Sequence, residues 1–249
     1  MQVQTDEAML RRSSVRGELP LGERLRWSAV VRPSRGPLQG THVTLRRLDP
    51  TIDAEPLYAA SHPPAGDPSI WTYLPDGPYE SAERLRQMLM WASDSEDPLY
   101  FALVPAGRRE PLGIASYLRI DTTSGVVEIG HIWFGPQLQR TTAATEAIYL
   151  LASHVFDQCG YRRLEWKCNA LNAASRRAAQ RFGFSFEGVF RKHQVVKGRN
   201  RDTAWYAIVD DDWPAVRSGF QAWLQPDNFD GSGRQRQTLG ELIEVARRS

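Results

Sequence analysis

The spacing of apolar residues changes several times along the chain, and each change marks a new element. Residues 41–48 (THVTLRRL) alternate apolar and polar positions, as a half-buried strand does. Residues 100–105 and 112–120 read as two more strands around the turn Gly107-Arg108-Arg109, and Ser124-Gly125 turns the chain into a strand over 126–134. From Thr142 the period lengthens to that of a helix, with Ala147, Ile148, Leu151 and Val155 on one face and Gly160 at its end. Leu164, Trp166 and Cys168 then alternate with Arg163, Glu165 and Lys167. A second helix opens at Asn172 and closes at Gly183, with Phe184 packing back. Helices are expected over 53–61, over 81–93 with Ser81 as cap and Glu83 in the first turn, over 211–224 and over 238–247. A hairpin over 188–196 and 202–209 turns at residues 197–200. Residues 70–79 (IWTYLPDGPY) form an irregular aromatic loop, 21–40 an ordered arm, and 1–20 a polar, disordered leader.

Strand, small-residue loop, helix is an arrangement suited to phosphate. The first turn of a helix leaves backbone N–H groups unpaired, and the macrodipole is positive there. The stretch 126–184 contains two such helix starts, one after each strand, which suggests a ligand with phosphates at one end and a reactive group at the other.

Composition changes this picture little. The chain has 249 residues, enough for one domain with extensions or two small domains, and its formal charge of +2 is too small to argue for a nucleic-acid partner. Its two cysteines, Cys159 and Cys168, lack the spacing of a zinc site and read as buried free thiols of a reducing compartment; no metal is expected. The N-terminus has no apolar core of a signal sequence and no stretch matches a membrane span, so a cytoplasmic location is expected.

Four motifs, in order, carry a resemblance: EIGHIWF (128–134), QRTTAATEA (139–147), NAASRRAAQRFGF (172–184) and RDTAWYAIV (201–209). Together they resemble the GCN5-related N-acetyltransferases (GNAT), in particular the branch of ribosomal-protein N-terminal acetyltransferases, over roughly residues 41–211. The resemblance implies a mixed α/β fold with a central twisted sheet of about six to seven strands flanked by helices. Residues 1–40 would be a leader and arm, 41–211 the acetyltransferase domain, and 212–249 a C-terminal helical extension that, with the arm, could close the pocket or form a homodimer.

The resemblance also implies acetyl-CoA as co-substrate and assigns roles by motif. Gln139, Arg140, Thr141, Thr142, Ala143 and Ala144 would wrap the pyrophosphate, with Thr142 standing where the family usually has Gly. Backbone groups of Ile132, Trp133 and Phe134 would bind the pantetheine arm, as would the Asn172 side chain, and Ser175 would protonate the leaving thiolate. Glu128 is the first candidate for the base that takes the amine's proton, His131 the second and Glu165 the third, each equally readable as a structural residue. Trp71, Tyr73 and Tyr79 suit an acceptor pocket for an amine-bearing small molecule or a peptide N-terminus, as exposed aromatics in a loop. Arg191, Lys192, Lys197, Arg199 and Arg201 read as a solvated basic hairpin. Two other readings stay open: a non-catalytic acyl-CoA-binding regulatory module, prompted by Thr142, and an RNA- or ribosome-binding module built on Arg176, Arg177 and Arg181.

Overall fold

In the computed structural model residues 21–248 are described, and the expected leader over 1–20 lies outside them. Among these described residues one sheet of eight strands runs in the order β1-β2-β3-β4-β5-β6-β8-β7, with six α-helices around it. The strands are β1 (Leu38–Gln39), β2 (Val43–Arg47), β3 (Leu99–Pro105), β4 (Gly113–Asp121), β5 (Val126–Phe134), β6 (Arg163–Asn169), β7 (Ser185–Val196) and β8 (Arg199–Val209). The helices are α1 (Pro50–Ser61), α2 (Ala82–Asp94), α3 (Thr142–Ser153), α4 (Ala173–Arg181), α5 (Trp213–Trp223) and α6 (Leu239–Arg248).

The sheet has one strand more than the upper expectation, because the arm supplies β1. Leu38 and Gln39 pair antiparallel with Leu45 and Thr44, and no local alternation announces so short a strand. The rest of the arm is tied down by side chains: the Trp27 indole donates to the Thr123 carbonyl at 2.6 Å and Arg32 to the Glu96 carbonyl at 2.6 Å. The hairpin turn is also tighter than residues 197–200, since Val196 pairs with Arg199 and only Lys197 and Gly198 lie between, both at positive φ.

All strand pairs are antiparallel except β5–β6, which are joined through α3 as a parallel crossover. Helix α3 buries Ala147, Ile148 and Leu151 on one side. Beyond Ser153 it widens into a π turn over His154–Gln158, which buries His154, Val155 and Phe156 before Gly160. Just past the first turn of α3 the buried Glu146 carboxylate accepts the N–H groups of Thr41, His42 and Val43 at 2.9, 2.6 and 3.0 Å, fixing the β1–β2 turn to the helix. Asp53 in α1 is likewise buried and takes the Arg46 guanidinium at 2.6 and 2.8 Å and the Asp49 N–H at 2.8 Å. No helix among the described residues is long and apolar enough to cross a membrane.

Two irregularities of β5 open the sheet. Ile114 faces Trp133 and Ser116 faces Gly130, so His131 and Ile132 stand opposite a single residue, Ala115, and His131 takes φ +48°. On the other side β5 pairs with β6 only from Val126↔Arg163 to Ile129↔Trp166. From Gly130 onward the two strands separate, although β6 continues beside β8 as far as Asn169↔Thr203.

Candidate active site

That separation opens into a cleft of about 1590 Å³, lined by β5, β6, the N-termini of α3 and α4, the β7–β8 hairpin and the C-terminal tail.

At one end lies the loop before α3. Thr141 caps the helix, its Oγ accepting the Ala144 N–H at 3.1 Å and donating to the Leu138 carbonyl at 2.6 Å. The N–H groups of Arg140, Thr142 and Ala143 take no acceptor among the described residues, so they can serve an anion. Arg140 takes φ +59°, while Thr142 keeps an ordinary negative φ at the first helical position. The positive φ that glycine adopts most easily is therefore needed at Arg140, two residues before Thr142. Gln139 is half committed already, its amide donating to the Phe134 carbonyl at 2.8 Å. Thr141, Thr142 and Ala144 line the cleft, whereas Ala143 does not.

In the middle, Ile132, Trp133 and Phe134 face the cleft along the unpaired edge of β5, opposite Asn172 and Ser175 of the α4 start. The Asn172 side chain caps α4 by accepting the Ser175 N–H at 3.0 Å, which leaves its amide N–H groups free to donate outward. The Ser175 hydroxyl accepts the Trp166 indole N–H at 3.0 Å. Cys168 also lines this wall as a free, buried thiol, and burial pushes its pKa up. Cys159 is free and buried as well.

At the other end Glu128 lies almost wholly buried between two cations, with Oε2 at 2.6 Å from Arg119 and 3.0 Å from Lys167. Its Oε1 takes no protein partner among the described residues. Burial raises the carboxyl's pKa above its ordinary value, and the two cations recover only part of that shift. His131 faces the same space; its Nδ1 meets the Tyr100 hydroxyl at 2.9 Å, and burial lowers its pKa, keeping the ring neutral. Glu165, the third candidate base, does not line the cleft. It is held by Lys167 at 2.6 Å and Arg163 at 2.8 Å; burial pushes its pKa up, but these hydrogen bonds outweigh it and leave the carboxylate below its usual range.

The aromatic loop departs from expectation. Trp71 is 2% exposed, packed edge-on against Tyr79 with ring centres 5.2 Å apart and tilted against Trp133 at 5.2 Å, so it is a core residue and not an exposed contact. A short turn over Pro68–Trp71 and close packing of Gly77 on the indole fold the loop inward. Tyr79 is half-buried and lies off the cleft; Tyr73 alone of the three lines it. Lys197 at the hairpin tip donates to the carbonyls of Trp71 and Asp76 at 2.8 and 3.0 Å, tying the hairpin to this loop.

Several further cleft residues had no part in acetyl transfer assigned from the sequence, which named Arg181 only for an RNA-binding reading. Arg181 is half-buried, donates to Thr145 at 3.1 Å and stacks on Phe182 and Trp223, 5.2 and 5.1 Å from the ring centres. Trp223, Phe229, Arg234 and Gln235 bring the C-terminal tail to the same end of the cleft. Their signal, aromatic and basic residues in a tail, is too common to single them out. Among the described residues no group of His, Cys, Asp and Glu could hold a metal ion.

Residues 42–185, which include the caps, the bulge and the splayed strands, match the model of the Acetyltransferase (GNAT) domain. The chain belongs to the GCN5-related N-acetyltransferase family. It is 44% identical to a GCN5-related N-acetyltransferase from Brucella melitensis, with a TM-score of 0.84 over 88% of this chain and 99% of that one. A probable GNAT-family acetyltransferase from Chromobacterium violaceum is 36% identical, with a TM-score of 0.72 over 79% of this chain and 98% of that one. A proposed ribosomal-protein-serine acetyltransferase from Vibrio cholerae, at 18% identity and a TM-score of 0.59 over 70% of this chain and 97% of that one, shares the fold. No curated protein matches the sequence. The protein is thus a GNAT acetyltransferase, and its eight-stranded mixed sheet is a GNAT sheet.

Proposed function

We propose that this acetyltransferase moves the acetyl group of acetyl-CoA to a primary amine by direct attack, with both substrates in the cleft together. The observation that carries the reading is the free backbone at the splay: unpaired N–H groups before α3 and an unpaired edge of β5 lie along one continuous cleft. A related fold at 22% identity, the microcin C7 self-immunity acetyltransferase, has a structure in complex with acetyl-CoA and AMP.

Acetyl-CoA supplies the acyl group as a thioester. Arg140, Thr142 and Ala143 would donate their N–H groups to its pyrophosphate, with Arg181 and the tail residue Arg234 adding charge at that end. The β5 edge at Ile132–Phe134 and the Asn172 amide would hold the pantetheine arm, and one β5 N–H would polarise the thioester carbonyl. The amine nitrogen forms the new C–N bond as the C–S bond breaks. Glu128 Oε1 receives the amine's proton, directly or through a water, and the burial that raises its pKa makes it a better base. His131, neutral and held by Tyr100, is the second group placed to do this. The Ser175 hydroxyl gives a proton to the departing sulfur and regains it from solvent. Cys168 stays protonated in the wall, which disfavours a thioester on the enzyme. The negative φ of Thr142 supports this reading over a non-catalytic one, since the position does not demand glycine.

The test is release of free thiol from acetyl-CoA in a broad panel of amines, with products weighed by mass spectrometry. The reading expects amine-dependent thiol release and an N-acetylated product; tight acetyl-CoA binding with no product from any amine would contradict it.

A further inference from the structure

The basic residues of the β7–β8 hairpin do not share one environment. Arg191, Lys192 and Arg199 are exposed, and Lys197 is engaged by two carbonyls. Arg201 is different: it is half-buried and lines the cleft beside Glu128. Its Nε is buried without a hydrogen-bond partner, and the guanidinium makes no ion pair among the described residues.

A buried guanidinium N–H without an acceptor is costly, and a folded protein normally supplies one. Here no carboxylate serves. Glu128 attracts Arg201, but its Oε2 is held by Arg119 and Lys167, while Arg119 repels Arg201 and burial lowers its pKa. Around this end of the cleft Arg119, Lys167 and Arg201 face a single lining carboxylate, Glu128. Such a wall disfavours a polycationic amine. The Nε–H and an Nη–H of one guanidinium form a planar fork that matches two oxygens of a carboxylate or phosphate.

We infer that the acceptor is a small primary amine that also carries a carboxylate or phosphate group, with that oxyanion seated on Arg201 and the amine directed at Glu128. The inference rests on the reading of this cleft as an amine-acetylation site. It separates Arg201 from the hairpin's solvated charges and gives it a role in acceptor selection.

Matched amine pairs test it: β-alanine and γ-aminobutyrate against their carboxamides, O-phosphoethanolamine against ethanolamine, and a short C-terminally amidated peptide without acidic side chains as a competitor that lacks the oxyanion. The expected result is a kcat/KM about tenfold or more higher for the anionic member of a pair, a preference of the size that one charge-assisted contact gives. Whether the carboxylate or the phosphate pair shows it names the group. Arg201→Gln is expected to abolish the preference and Arg201→Lys to retain part of it, with acetyl-CoA affinity by calorimetry reporting that each variant is folded. Equal use of neutral amines or of the peptide, or a preference that survives Arg201→Gln, would overturn the inference while leaving acetyl transfer intact. Thiol release with no amine at all would overturn both readings.

Discussion

The Trp166 indole N–H donates to the Ser175 hydroxyl across 3.0 Å, tying β6 to the first turn of α4 at the point where β5 has already parted from β6. The bond occupies a lone pair of the hydroxyl, and the Cys168 thiol is a second hydrogen-bonding neighbour of the same hydroxyl. Because a thiol has a pKa of about 8.5, its thiolate leaves without much help. Ser175→Ala is therefore expected to lower kcat by about tenfold to a hundredfold with little change in KM, at the low end of general-acid effects. Trp166→Phe, which frees the hydroxyl's orientation, should give a smaller loss of the same kind in steady-state kinetics.

Glu128 gives a pH signature. Burial raises its pKa, so the carboxylate needed as base appears only above the ordinary carboxylate range, and kcat/KM should rise with pH through that raised value. Lys167 stabilises the charged form at 3.0 Å. Lys167→Met removes that help, raises the pKa further and should move the acidic limb of the pH–rate profile to higher pH. Glu128→Gln should flatten the limb; an unchanged limb in Glu128→Gln, and its loss in His131→Gln, would transfer the base role to His131.

Thr142 and Thr141 should behave differently although they are neighbours. Thr142 has an ordinary φ, so Thr142→Gly is expected to leave acetyl-CoA affinity within about threefold, under 1 kcal/mol. Thr141→Ala deletes the cap of α3 and should cost about 1 kcal/mol of stability in urea unfolding.

Local chemistry was legible in the sequence, and long-range placement was not. Asn172 as a cap and Gly183 as the residue after α4 are decided within a few residues of chain: Gly183 takes φ +88° and the Phe184 N–H returns to the Ala179 carbonyl at 3.1 Å. The motifs over 128–184 likewise lie on the elements expected of them. Leu38–Gln39 became a strand only because β2 offers an edge far along the fold. Trp71 reads as a loop aromatic until Gly77 and the hairpin's Lys197 fold the loop under. Arg201 looks like one charge in a basic run, and its place in the cleft between β5 and β6 is set by the tertiary fold, which no periodicity encodes.

Two buried carboxylates are expected to carry stability and not catalysis. Asp53→Ala leaves Arg46 unpaired beside the core and should cost about 3 kcal/mol, as breaking a buried pair does. Glu146→Ala strands three N–H groups of the β1–β2 turn and should cost about 1–3 kcal/mol. Urea unfolding reads both, and kcat of the folded fraction should stay near that of the parent.

The central claim is that acetyl-CoA lies along the cleft with its phosphates at the start of α3. Ala144 is 5% exposed in that first turn and lines the cleft. Calorimetric titration of acetyl-CoA into the parent protein and into a folded Ala144→Trp variant tests the claim most directly. Saturable binding to the parent and its loss in the variant is the predicted result; no binding to the parent, or equal affinity in the two, would contradict it.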